Sequence, residues 1–145
     1  MQSYGTPSMH IRARKVASPI RVAWVCAENW EAAQSRIRVL KVSEKLRKLG
    51  YQSTVIQNYS DVLKFNFHTV IIGKSFSEND YKQVEMLKLS GKRIIMDLCE
   101  DLIGWAWVNE LIGLCDKVIC CSHELEKKVR TIHNNTAVIE DAYEC

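Results

Sequence analysis

The chain has 145 residues, of which 47% are hydrophobic and 26% are charged, and its formal net charge is +3 at pH 7. This length suits one compact domain, and the composition excludes a disordered or fibrous chain. The modest charge, without a basic stripe interleaved with aromatic residues, argues against nucleic-acid binding. The longest apolar stretch, residues 102–114, is interrupted by polar residues and is shorter than the roughly 20 residues of a membrane span.

The first 18 residues contain Gly5, Pro7 and several charges but no hydrophobic periodicity. They also lack the uninterrupted apolar core of a secretory signal. We therefore predict a flexible leader at residues 1–18, one domain at residues 19–145 and a cytoplasmic location.

From Ile20 onward, short apolar runs alternate with longer amphipathic segments, which is typical of βαβ units in a parallel sheet. The runs are rich in Val and Ile, as strands buried on both sides require. The sequence thus predicts an α/β fold, a Rossmann-like open parallel sheet of about six strands with helices on both faces. The predicted strands are residues 21–26, 53–57, 69–73, 93–97, 117–121 and 137–140.

Helices are predicted between the strands from apolar residues that recur every three or four positions. The first should end at Gly50 and bury the stripe Ala32, Ser35, Val39, Val42, Leu46 and Leu49. Further helical segments are predicted near residues 61–65, 78–89, 102–114 and 123–131. Gly91 should end the 78–89 helix, and Ser122 should be the N-cap of the last one.

Six cysteines are numerous for this length, but Cys26, Cys120 and Cys121 lie in predicted strands, where a thiol behaves as a small hydrophobe. There is no CxxC pair, and the four histidines are scattered without metal-ligand spacing. We therefore expect no metal site and no cofactor.

In an open parallel sheet, ligands bind beyond the carboxyl ends of the strands. Ser35, Arg36 and Arg38 follow the first strand, where a helix start and two guanidinium groups would favour an anion. The alternative is that both arginines are solvated on either side of the core stripe, since they lie about 200° apart on a helix.

Further candidate ligand-binding residues follow other strands: Lys74 and Ser75 after the third, and Ser122 after the fifth. Asp97, Glu100 and Asp101 form an acidic cluster after the fourth strand, which would hold a sugar hydroxyl or act as a base. Alternatively, Asp101 caps the next helix and Glu100 is solvated. No residue is identified as catalytic.

The chain lacks the GxGxxG, GxxxxGK[ST] and GxSxG motifs of dinucleotide-binding, P-loop and α/β-hydrolase proteins. It resembles instead the N-terminal domain of GT-B glycosyltransferases, in particular the family 4-like retaining enzymes that use nucleotide-sugar donors. The resemblance covers residues 21–144 and lies in four runs: SRIRVLKVSEKLRKLGY (35–51), RIIMDLCEDL (93–102), DKVICCSHELEKKV (116–129) and AVIEDAYE (137–144). The family's glycine-rich turn after the first strand is replaced here by residues 27–30, AENW.

The resemblance implies an acceptor-binding half that takes a sugar or an anionic acceptor and is not catalytically complete alone. In that family a C-terminal domain, absent from this sequence, binds the donor. Two alternatives are a non-catalytic binding or protein-interaction module with the same fold and a small unrelated flavodoxin-like domain. Because residues 102–114 leave almost no polar helix face, we also predict a homodimer held by Trp105 or Trp107.

Overall fold

The computed structural model describes residues 19–26, 35–73 and 76–140, apart from the side chains of Ser35 and Arg36. The predicted leader, residues 1–18, lies outside the described residues, as do residues 27–34, 74–75 and 141–145. Within the described ranges, no helix has the length and apolar character needed to cross a membrane.

Six parallel strands form one sheet in the order β2-β1-β3-β4-β5-β6. The prediction of an α/β, Rossmann-like parallel sheet is confirmed, and each predicted strand agrees with an observed one to within two residues at either end. The order reverses direction between β1 and β3, which creates a crevice at the carboxyl ends of these strands. The strands are β1 (Arg21–Val25), β2 (Gln52–Ile56), β3 (Thr69–Gly73), β4 (Arg93–Leu98), β5 (Lys117–Cys120) and β6 (Thr136–Val138).

The helices also follow the predicted order. The first begins as a π-helical segment, Ser35–Lys41, and continues as α1 (Val42–Lys48). It is followed by α2 (Ser60–Lys64), α3 (Glu78–Leu89), α4 (Val108–Leu114) and α5 (His123–Val129). As predicted, α1 and α3 end at Gly50 and Gly91, whose φ angles of +92° and +77° favour glycine.

The helical cover of the two sheet faces is unequal. Helices α2 to α5 pack on one face, where Val62, Val84, Leu111 and Val129 are fully buried. On the other face, Val39 and Leu46 of the first helix pack over a smaller cluster of Val22, Trp24 and Ile71. Among the described residues, the π-helical segment and α1 supply all the helical cover that this second face has.

The predicted helix at residues 102–114 is wrong in its first half, because α4 begins only at Val108. Gly104 and Trp107 adopt left-handed backbone conformations, with φ angles of +87° and +69°, which an α-helix cannot contain. Val108, Leu111 and Ile112 are buried, so the helix is not apolar on an exposed side. Of the two tryptophans predicted at a dimer interface, Trp107 packs against Tyr81 with 5.4 Å between ring centroids, and Trp105 is 67% exposed.

The prediction that strand cysteines behave as small hydrophobes is confirmed for Cys26 and Cys120, which are buried, while Cys121 is half-buried. Cys115, at the end of α4, is also buried. Cys145 lies outside the described residues.

We expect Cys115 and Cys120 to resist thiol reagents in the folded protein. Burial raises the pKa of Cys115 to about 12 and that of Cys120 to about 11. Because the thiolate is the reacting form, both should be labelled at about pH 8 only after the chain unfolds. Mass mapping of iodoacetamide-labelled peptides, with and without urea, measures this, and the adjacent Cys121 serves as the internal control. Rapid labelling of Cys120 without urea would contradict its buried position in β5.

Candidate functional site

Two predicted site residues, Arg38 and Asp97, form a buried ion pair. Arg38 lies in the π-helical segment, and Asp97 lies next to the last residue of β4. Nε of Arg38 donates to Oδ2 of Asp97 at 2.8 Å, and Nη2 donates to Oδ1 at 2.5 Å. The two side chains are 8% and 11% exposed. Two parallel hydrogen bonds are the most favourable arginine–carboxylate geometry. Because Arg38 is buried, the alternative that its side chain is solvated is wrong.

Arg38 also connects the first helix to the chain beyond β6. Its Nη1 donates to the carbonyl oxygen of Ile139 at 3.1 Å. The positive charge of Arg38 is balanced by Asp97, and its Nε, Nη1 and Nη2 groups all have protein acceptors. Anion binding at this helix start stays a prediction, but the role that the structure gives Arg38 is to hold the fold together.

The π-helical segment explains why Arg38 points inward. A π-helix has a wider turn than an α-helix, so the residues that face the sheet differ from those that the α-helical period predicts. Val39 and Leu46 of the predicted stripe do pack on the sheet, but Val42 is 40% exposed and Leu49 is 63% exposed. For Val42 and Leu49 the predicted core stripe is therefore wrong. Of the other members of that stripe, Ala32 and the side chain of Ser35 lie outside the described residues.

A second buried polar chain fixes α1 to the sheet. Trp24 Nε1 donates to the hydroxyl of Ser53 at 2.9 Å, and this hydroxyl is 2.7 Å from that of Ser43. The chain links β1, β2 and α1, and each buried polar group in it has a partner, as burial requires. The first helix is thus held to the sheet by buried hydrogen bonds from both its π-helical segment and α1.

Beside the ion pair, a groove of about 130 Å³ opens on the less covered face of the sheet. It is mostly apolar, with the guanidinium and carboxylate in its wall. Its lining residues are Trp24, Ile37, Arg38, Val42, Asp97, Ile119, Ile139 and Glu140.

The predicted acidic cluster is divided between two places. Asp97 lines the groove, whereas Glu100 and Asp101 line a separate cleft of about 160 Å³ beyond β4 and β5. Ser122, predicted from a different strand, lines the same cleft. The structure therefore brings together three of the predicted site residues, Glu100, Asp101 and Ser122, apart from the Arg38–Asp97 pair.

Within this cleft, Asp101 is paired with Lys128 of α5. The hydrogen bond from Lys128 lowers the pKa of Asp101, so the carboxylate carries its charge at neutral pH. The alternative that Asp101 caps the next helix is wrong, because the N-cap of α4 is Trp107. Ser122 is the N-cap of α5 as predicted, and its hydroxyl accepts from the backbone N–H of Leu125 at 3.2 Å.

Lys74 and Ser75 lie outside the described residues, as do the side chains of Ser35 and Arg36. The carboxyl end of β3 is nevertheless beside that of β4, since Gly73 pairs with Asp97 in the sheet register.

The sequence prediction missed a polar pocket of about 390 Å³ between the end of β2 and the start of α3. Gln57 and Asn58 follow β2 directly, so the strand-end rule identifies them as well. A second sequence feature that indicates this pocket is the Ser77–Asp80 capping box, which marks the start of α3. The lining residues are Gln57, Asn58, Tyr59, Ser60, Ser77, Asn79, Asp80 and Gln83.

Within the described part of the chain, no group of three or more His, Cys, Asp or Glu side chains is placed to hold a metal ion. No protein-family model, curated protein or solved structure matches this chain.

We expect Arg38→Met or Asp97→Leu alone to destabilise the fold by about 3–5 kcal/mol, because each leaves a buried charge without its partner. The double variant Arg38→Met/Asp97→Leu should recover much of that loss, since it removes both charges. Urea unfolding monitored by circular dichroism measures the free energies. Lys48→Ala, which breaks the exposed Glu44–Lys48 pair, is the control and should leave the unfolding midpoint nearly unchanged. Single variants as stable as this control would contradict the role of the buried pair.

Proposed function

We propose that this domain is the acceptor-side half of a glycosyltransferase-like protein and that the polar pocket between β2 and α3 binds a neutral sugar. The observation that carries the proposal is the chemistry of the pocket. Four carboxamide side chains, those of Gln57, Asn58, Asn79 and Gln83, line one concave surface at the carboxyl edge of the sheet.

Carboxamides suit sugar hydroxyl groups because each amide offers both a donor and an acceptor, as each hydroxyl does. Among the described residues, no lysine or arginine lines the pocket. The volume of about 390 Å³ falls in the range of small-molecule sites. These features favour a neutral polyhydroxylated acceptor over the anionic acceptor that the sequence also suggested.

The floor of the pocket is held rigidly by Ser77, Asp80 and Tyr59. Asp80 is 5% exposed, and its Oδ2 accepts from the backbone N–H of Ser77 at 2.7 Å and from the Ser77 hydroxyl at 2.6 Å. Burial raises the pKa of Tyr59, and its hydrogen bond to Asp80 raises it further, so Tyr59 stays protonated and donates to the carboxylate. A fixed floor leaves the carboxamides as the groups that meet a ligand.

The second candidate function is a non-catalytic binding module with the same pocket. Both functions need the pocket to bind a sugar, and they differ in whether the bound hydroxyl is then glycosylated. Binding is therefore the property to test first, because an acceptor-side half alone is expected to give no transfer from a nucleotide-sugar donor.

For binding, we expect methyl glycosides of glucose, galactose, mannose and N-acetylglucosamine to shift the backbone amide resonances of residues 57–60 and 77–83 in an NMR titration. For the glycoside that binds best, Asn79→Ala and Gln83→Ala should each weaken binding by about two- to tenfold, since each removes one or two hydrogen bonds.

Gln52→Ala is the matched control, because Gln52 is an exposed carboxamide at the opposite end of β2. It should leave the affinity unchanged. Absence of shifts with all four glycosides, or an equal loss of affinity in Gln52→Ala, would refute sugar binding at this pocket.

The predicted homodimer can be tested separately. Of the two tryptophans proposed for the interface, Trp105 presents the exposed apolar surface, so Trp105→Lys should shift the mass measured by light scattering from dimer to monomer. Leu89→Lys is the control, because Leu89 is an 84% exposed apolar residue at the end of α3. A wild-type monomer at all protein concentrations would contradict the dimer.

A further inference from the structure

Two thiols lie side by side where β4 and β5 end. The register pairs Leu98 of β4 with Cys120 of β5, so Cys99 and Cys121 occupy the next position on the two neighbouring chains. The backbone N–H of Cys121 donates to the carbonyl oxygen of Leu98 at 3.3 Å, which extends the strand pairing by one step. The Cys121 thiol in turn donates to the carbonyl oxygen of Cys99 at 3.3 Å.

This arrangement suits a disulfide. Neighbouring strands lie about 4.8 Å apart, and the Cα atoms of disulfide-bonded cysteines are about 4.4–6.8 Å apart. Because Cys99 and Cys121 extend one register, their Cα atoms are separated by about one strand spacing. The chain needs no large backbone movement to join them.

Both thiols are also accessible, unlike those in the core. Cys99 and Cys121 are half-buried and line the cleft of about 160 Å³ that also contains Glu100, Asp101 and Ser122. The other cysteines of the described chain, Cys26, Cys115 and Cys120, are 4%, 5% and 0% exposed. A small reagent therefore reaches the first pair through the cleft but does not reach the other three.

We propose that Cys99 and Cys121 are a redox-reactive pair that a low-molecular-weight disulfide, such as oxidised glutathione, converts into an intramolecular disulfide. The Cys121 thiolate attacks one sulfur of oxidised glutathione, which forms a mixed disulfide and releases one glutathione thiolate. The Cys99 thiolate then attacks the Cys121 sulfur and releases the second glutathione. The protein thiols lose two protons and two electrons, and oxidised glutathione is reduced to two molecules of glutathione.

The bond would change the cleft, because it joins the two chain segments that form it. Glu100 follows Cys99 directly, and Ser122 follows Cys121 directly. Oxidation thus fixes the distance between the segment that carries Glu100 and Asp101 and the segment that begins α5. This redox site is independent of the sugar pocket, which lies at the other side of the carboxyl edge.

The experiment incubates the folded full chain with oxidised glutathione, blocks remaining thiols with iodoacetamide and maps disulfide-linked peptides by tandem mass spectrometry. We expect a Cys99–Cys121 link in the wild-type protein that reduced glutathione reverses. The link should also form in Cys120→Ala, a matched control one residue away, and in Cys115→Ala. Cys99→Ala and Cys121→Ala should form no intramolecular bond.

The wild-type peptide map identifies the link directly, so the test does not depend on the stability of any variant. A wild-type map in which Cys121 is linked to a cysteine other than Cys99 would overturn the proposal. Accumulation of only the glutathione mixed disulfide, or no oxidation of either thiol, would overturn it equally.

Discussion

The buried Arg38–Asp97 ion pair is the interaction on which the carboxyl edge of this sheet depends. It holds the π-helical segment to β4, and the third Arg38 contact holds the chain after β6. Desolvating two charges is costly, and the cost is offset only when the geometry is good and the remaining donors are satisfied. Here two short hydrogen bonds and the Ile139 carbonyl meet both conditions. The pair therefore holds the first helix, β4 and the chain after the last strand together.

The three concave surfaces described above differ in chemistry. The groove beside the ion pair is mostly apolar, and the Arg38 and Asp97 charges in its wall are paired with each other, although Glu140 also lines it. The cleft beyond β4 and β5 contains an Asp101–Lys128 pair and two thiols. In the pocket beyond β2, the described lining residues carry carboxamides, hydroxyls and the Asp80 carboxylate but no lysine or arginine side chain. Of these three surfaces, the last is the richest in groups that both donate and accept hydrogen bonds, and the proposed sugar binding rests on this property.

The elements that the sequence predicts well are those set by local chemistry. Val- and Ile-rich runs mark all six strands, Gly50 and Gly91 mark helix ends, and Ser122 marks a helix start. The two failures depend on contacts between distant residues or on unusual backbone. Nothing local in residues 35–41 indicates a π-helix, whose inward Arg38 is stabilised by Asp97, 59 residues away. Likewise, a left-handed backbone conformation is not expected of a residue as bulky as Trp107. A prediction from hydrophobicity alone therefore began α4 six residues too early.

The unequal helical cover explains why one predicted site residue, Asp97, is buried in an ion pair, whereas Glu100, Asp101 and Ser122 line a cleft. Where α2 to α5 pack on the sheet, the carboxyl ends of β2 and β5 lead within a few residues into the starts of α2 and α5, and polar side chains at these ends line concave surfaces. On the opposite face, the π-helical segment reaches as far as β4, while Ile119 of β5 is half-buried and Ile139 is exposed. At this border of the helical cover, Arg38 of the π-helical segment covers Asp97 and neutralises its charge. The strand-end rule therefore identifies two kinds of residue at the end of β4. Asp97 is structural, whereas Glu100 and Asp101 line a cleft, and the helical cover above each of them makes the difference.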